Sequence, residues 1–192
     1  MLGPFILTGP VMDWPGAVEY TADCGRFYYV PCSLENPGPI AKLMDRLRPV
    51  MVYHLAAQSS AAASFVDPRG TFAANVVGTL HLLEAVRALP EAERPALLAI
   101  GSAEEYGPQP EGAYPLKEDA GLNPVSPYGV SKVAQTLLCR QYARSHDMPV
   151  VMTRSFSHTG PGHDTRFAFP NFARQIAARK KRRPATPACQ EV

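Results

Sequence analysis

The sequence predicts an α/β fold built on a parallel sheet, and two observations carry that prediction. From residue 50 onward short apolar runs alternate with longer stretches of helical period, the pattern left by strands joined through crossover helices. The runs VMVYHLAA (50–57), ALLAIG (96–101) and PVVMTRS (149–155) are apolar enough to be buried strands. At 192 residues, 46% hydrophobic and 19% charged, the chain can fill one core, and neither a second domain nor general disorder is required.

Taken in order, residues 1–31 are the least patterned, and six of the 20 prolines fall within the first 39 residues. PFILTG (4–9) reads as an opening strand, but after it only Gly9 and Gly16 stand among prolines. A dinucleotide pyrophosphate needs a tight glycine turn and a helix N-terminus. That fingerprint is absent, so 1–31 is expected to be irregular. The strand at 50–57 comes next, and Asp67 before Pro68 caps a helix whose apolar stripe is Phe72, Val76, Leu80 and Leu83. The strand at 96–101 then delivers Ser102 and Glu104 at its carboxyl end, where parallel sheets hold ligands. A polar, Pro-rich loop (108–125) leads to a helix starting near Ser126, with Val133, Leu137, Leu138 and Tyr142 inward. After the strand at 149–155 a last helix is expected over 170–178 through Phe172 and Ile176. Residues 179–192, RKKRRPATPACQEV, have no apolar period and read as a disordered tail.

Charge excludes little: 19 Lys+Arg against 17 Asp+Glu give +2, which names no partner. The RKKRR run lacks aromatic or glycine interleaving and reads as solvated tail, so no nucleic-acid partner is expected. No apolar run reaches the ~18 residues of a membrane helix and no export signal is recognisable, so a cytoplasmic, membrane-free protein is expected. Cys24, Cys32, Cys139 and Cys189 form no C-x-x-C pair and are expected as free thiols. His158 and His163 have no Cys or carboxylate at ligand spacing, so no metal site is expected.

The strongest chemical signal is SPYGVSK, where Tyr128 and Lys132 stand four apart on a predicted helix and share a face. A free phenol, with a pKa near ~10, exchanges protons poorly at neutral pH; a fixed ammonium beside it is expected to lower that value. Ser102, one strand away, would hold the same substrate oxygen by a hydrogen bond.

In this context the chain resembles the extended short-chain dehydrogenase/reductases that act on nucleotide sugars, also called NAD-dependent epimerase/dehydratases. The resemblance rests on six ordered motifs: CSLENP (32–37), RPVMVYHLAAQSS (48–60), NVVGTLHLLEAVR (75–87), GSAEEYG (101–107), PVSPYGVSK (124–132) and RSFSHTGPG (154–162). It covers roughly residues 32–178 and implies a Rossmann-like, doubly wound parallel sheet, incomplete at the N-terminal βαβ unit and lacking most of the C-terminal substrate region. It implies Tyr128 as acid/base and Lys132 as the residue that binds the nicotinamide ribose and tunes the tyrosine. Ser102 would position the sugar C4 oxygen, and Glu104 stands where dehydratases keep their base. The resemblance also implies Ala56, Ala57 and Gln58 as neighbours of an NADP or NAD cofactor, and Ser59, Ser102, Ser157 and His158 as substrate contacts; Asn75 is read as helix packing.

Within the family, the alanine at position 103 replaces the dehydratase proton donor, and the motif is most similar to GDP-4-keto-6-deoxy-mannose reductases. A GDP-mannose 4,6-dehydratase and a sugar 4-epimerase are the alternatives, and a non-catalytic remnant or partner subunit is the alternative of another class. Ser157 stands where the family pattern has Asn, and Ser33 where it has Asp. A homodimer through a four-helix interface, made by the helices carrying residues 75–83 and 128–132, is a further implication.

Overall fold

A computed structural model describes residues 3–7, 14–22, 25–165 and 168–182. They divide into two compact units, Met1–Phe156 and Ser157–Val192. The first unit opens with β1 (Gly3–Leu7), over the opening strand read at 4–9, and where the rest of the start is expected to be irregular it has two more strands, β2 (Val18–Ala22) and β3 (Gly25–Cys32). They form an antiparallel sheet in the order β1-β3-β2. The signal was local: Val18, Tyr20 and Thr21 face Tyr29, Phe27 and Arg26 in register, β-branched and aromatic residues suit a pleated surface, and only two residues separate the paired Ala22 and Gly25. Tyr28 and Val30 turn inward onto Leu43 of α1 (Pro37–Leu47), with Trp14, Ala17 and Leu47 packed around them. Gly9 lies outside the described residues, and Gly16 occupies a turn at φ +76° that leads into an antiparallel strand rather than a helix.

The second sheet is the parallel one. Strands β4 (Met51–His54), β5 (Ala96–Ile100) and β6 (Val150–Thr153) lie in the order β4-β5-β6, each crossover being helical. The first crossover holds α2 (Ala61–Val66), α3 (Pro68–Phe72), one π turn (Ala73–Val77) and α4 (Gly78–Arg87). The second holds a 3₁₀ turn (Ala103–Glu105) and α5 (Pro127–His146). Val52, Leu97 and Ala99 pack with Leu82, Leu83 and Val86 of α4 and Cys139 and Tyr142 of α5. Side chains of the opposite parity face outward, with Tyr53 62% and Val151 61% exposed. Among the described residues helices therefore cover one sheet face, and the strand predicted over 50–57 is half that length, because the chain leaves the sheet after His54.

Both helical stripes differ from the expected ones. On the first crossover Leu83 is buried as expected, but Phe72 is exposed while Thr71, Asn75 and Thr79 are buried with Leu82. On α5 Leu137 is 53% exposed, and Ser131, Lys132, Gln135 and Thr136 are buried in its place. Apolar period marks the core-facing stripe only where the buried surroundings are apolar, and around Asn75, Thr79, Ser131, Lys132 and Gln135 they are polar. In the second unit α6 (Ala168–Arg182) is longer at both ends than the helix expected over 170–178; the rest of the predicted tail lies outside the described residues. None of the described helices is long and apolar enough to cross a membrane.

Candidate active site

Tyr128 and Lys132 are placed by the start of α5. The Ser126 hydroxyl caps the helix by accepting from Gly129 N at 3.0 Å, and Pro127 occupies its first turn. The Tyr128 amide, one of the donors a helix start leaves without an internal partner, donates to Ser64 Oγ at 3.0 Å. Ser102 is the second residue after β5, and its hydroxyl lies close enough to the Tyr128 phenol to favour ionisation of that phenol. Ser102 Oγ accepts from Glu104 N at 3.2 Å, which leaves its single proton available to a neighbouring oxygen. All three side chains are buried.

The electrostatics differ from the sequence expectation. The Tyr128 pKa is raised, first by burial, with Glu104 and Glu105 adding to it and the Ser102 hydroxyl opposing it. The Lys132 ammonium sits 5.9 Å from the tyrosine ring centroid and donates to Ile100 O at 2.8 Å and Gln135 Oε1 at 2.9 Å, so it is anchored on the strand end rather than on the phenol. Burial lowers the Lys132 pKa to about 8. Tyr128 is thus held protonated at neutral pH.

Behind this pair runs a buried polar network that the sequence reading missed. Asn75, on the π turn, accepts from Gln58 N at 2.8 Å and donates to Gln58 O at 3.0 Å and to Ser131 Oγ at 2.9 Å; Ser131 donates in turn to Tyr128 O at 2.7 Å. The residue read as helix packing ties the 56–58 loop to α5. Thr79 Oγ1 donates to Asn75 O at 2.7 Å and accepts from Gln135 Nε2 at 3.0 Å. Its one proton being committed, the 2.8 Å contact to His54 has Nε2–H as donor. His54 is neutral: burial, then the Lys132 charge, lowers its pKa to about 4. The signal was present in the sequence, since Asn75/Thr79 and Ser131/Gln135 are polar pairs four apart on two helices meant to be buried.

The other missed residue is Glu105, fully buried. Its carboxylate accepts from Ser102 N at 2.9 Å, Thr136 Oγ1 at 2.9 Å and Arg154 Nε at 3.2 Å. Gly101 permits this approach: a Cβ there would lie 2.2 Å from Thr153 O and 2.5 Å from Glu105 Oε1.

Of the remaining predicted site residues, Ala56, Ala57 and Gln58 are half-buried in the loop after β4, whereas Glu104 and Ser59 are exposed. Glu104 is close enough to act on the phenol electrostatically. Ser157 and His158 are exposed and belong to the second unit. Ser33 has its hydroxyl accepting from Glu35 N at 3.3 Å. Among the described residues no three His, Cys, Asp or Glu side chains converge as a metal site would require. For a nicotinamide dinucleotide the fit is divided. The 56–58 loop is fixed by Asn75 beside the helix that carries Tyr128 and a buried Lys132, whereas no described strand, glycine turn and helix form a pyrophosphate cradle.

Residues 17–189 match the model of the family described as GDP-mannose 4,6 dehydratase. The chain is 37% identical over 148 residues to a GDP-6-deoxy-D-mannose reductase of Pseudomonas aeruginosa, covering 77% of this chain and 48% of that protein. It is 34% identical to a UDP-glucose 4-epimerase of Mycolicibacterium smegmatis, over 72% of this chain and 43% of the relative. Among solved structures, RMD from Pseudomonas aeruginosa complexed with NADPH superposes with a TM-score of 0.71 at 36% identity, over 80% of this chain and 50% of that one. The chain therefore spans about half the length of the relatives it matches.

Proposed function

This chain belongs to the GDP-mannose 4,6 dehydratase family, within the extended short-chain dehydrogenase/reductases, and on that premise we propose that it is a cytoplasmic nucleotide-sugar oxidoreductase. Its reaction is the reduction of a GDP-linked 4-keto-6-deoxy sugar at C4. The observation that carries this reading is the buried Tyr128 phenol, kept protonated by its surroundings and lying beside the buried Ser102 hydroxyl. Ketone reduction needs a proton donor at the oxygen as hydride arrives at the carbon, and a neutral phenol is that donor.

NADPH or NADH, when bound, supplies the hydride. Ser102 and Tyr128 hold the C4 oxygen between two hydroxyls, Tyr128 gives up its proton, and the Lys132 cation stabilises the phenolate that remains. Lys132 and the 56–58 loop hold the nicotinamide ribose. Elimination of water across C5 and C6 needs an additional acid, and position 103, where dehydratases keep it, is an alanine beside an exposed Glu104. That favours reductase over dehydratase.

The test mixes the full chain with NADPH and GDP-4-keto-6-deoxy-mannose and follows loss of the reduced cofactor. Turnover is expected, and Tyr128→Phe should reduce it on the order of a thousandfold while the far-UV dichroism is unchanged. No oxidation together with no dinucleotide binding by calorimetry would leave the non-catalytic reading standing. The same assignment carries a homodimer: Phe72 and Val77 on the first crossover and Val130 and Leu137 on α5 are exposed apolar residues on the helices expected to pair. A single monomeric species in sedimentation would remove that part.

A further inference from the structure

The buried carboxylate of Glu105 is unused by the reaction just described, yet it bonds the segment after β5, α5 and the segment after β6. We propose that Glu105 is a positioning residue that fixes the Ser102 hydroxyl against the Tyr128 phenol by tying the end of β5 to α5 and β6 through one carboxylate. This rests on the reading of Ser102 and Tyr128 given above.

The geometry makes the case. Oε1 accepts the Ser102 amide at 2.9 Å, so the residue whose hydroxyl meets the phenol is held by its own backbone. Oε2 accepts from Thr136 at 2.9 Å, one turn beyond Lys132 on the helix that carries both reactive side chains. The same oxygen accepts from Arg154 Nε at 3.2 Å on the segment after β6. Arg154 is itself fixed, donating to Glu118 O at 2.7 Å and Tyr106 Oη at 3.1 Å, with its guanidinium 4.9 Å from the Tyr106 ring centroid. Three donors converge on a side chain with no exposed surface, so the carboxylate cannot move without leaving one of them unpaired. Ser102 then has no freedom to slide along the helix. A residue that merely filled space would not need three charged or polar partners drawn from three elements.

The charge has a second effect. The Glu105 carboxylate opposes ionisation of Tyr128 and favours the charged form of Lys132. The groups facing the phenol are Glu104 and Glu105 from the 3₁₀ turn, Ser102 from the end of β5 and Lys132 from α5; those facing Glu105 are Arg154 and Lys132.

The test reads the site without turnover, so its failure is distinct from failure of the reductase assignment. The full chain is labelled with [13Cζ]tyrosine and 15N, the Tyr128 signal is identified with Tyr128→Phe, and phenol titration is followed in wild type and Glu105→Gln. The neutral amide keeps the shape and removes the charge, so Tyr128 should titrate at least about half a pH unit lower, with a changed Ser102 amide shift. A folded Glu105→Gln chain in which neither moves would overturn the proposal. Should that variant fail to fold, Thr136→Val decides: isosteric and uncharged, it should speed deuterium exchange of the Ser102 amide roughly tenfold while the β5 amides before it are unchanged. Unchanged exchange at Ser102 would overturn the proposal equally.

Discussion

The antiparallel sheet β1-β3-β2 and the parallel sheet β4-β5-β6 lie within one compact unit and are held together by different forces. Behind β3 the buried residues are Tyr28, Val30 and Leu43, an apolar cluster whose pairing partners are close in sequence. Behind β4 and β5 the apolar core is joined by His54, Asn75, Thr79, Ser131, Lys132 and Gln135, all buried and hydrogen-bonded across crossovers of tens of residues. A polar interior is costly unless every group is paired. The parallel half accepts that cost around Tyr128 and Lys132, whereas among the described residues the cluster behind β3 is apolar.

If that contrast is right, mutations should act through unpaired polar groups in one half and through lost apolar area in the other. The largest effect is expected for Asn75→Ala, which strips both Gln58 backbone groups and Ser131 of a partner: about 4 kcal/mol in urea unfolding, two to three times the value of one hydrogen bond. A loss below about 1 kcal/mol would show that the network is not what holds this half.

Next comes acid. His54 is neutral in the folded chain with a pKa lowered to about 4, so the unfolded chain takes up its proton first as pH falls. The stability linked to His54 is fully present above about 6.5 and is lost between there and about 4, amounting to about 3 kcal/mol. His54→Gln should flatten that part of the pH–stability curve. Lys132 has the same sign at higher pH: with a folded pKa of about 8, its desolvation penalty is relieved between about 8 and the ordinary lysine value, and stability rises over that window. The cation beside Tyr128 is lost over the same interval, so turnover should fall above pH 8 as the fold gains.

In the antiparallel half Val30→Ala should cost about 2 kcal/mol by cavity formation alone, with no dependence on pH. Smallest of all, Tyr20→Ala on β2, 58% exposed, should change thermal unfolding by less than about 0.5 kcal/mol.

The legible part of the fold was the part with a period. Strands at 96–101 and 149–155, the Asp67 cap and the start of α5 after Ser126 follow from apolar runs and capping chemistry, and each has its counterpart in β5, β6, α3 and α5. Tyr128 and Lys132 were legible because four residues span one helical turn. The inward faces were legible only in part. Leu83 and Tyr142 are buried as expected, but Leu137 and Phe72 are exposed while Gln135 and Asn75 are buried, because a polar interior overrides hydrophobic period. The opening strand at 4–9 has its counterpart in β1, but β2 and β3 were missed because prolines and a short hairpin hide an alternating pattern.

From sequence alone came the α/β class, the strand order of events along the chain, and a phenol and an ammonium on one helical face with a serine at a strand end. Only tertiary structure decided which way the ammonium points and what the phenol's charge state is. Lys132 reaches Ile100 O and Gln135, and burial beside two carboxylates keeps Tyr128 protonated. Spacing along a chain fixes which side chains share a face; the free energy of ionisation depends on the water, carbonyls and charges that other segments bring to that face.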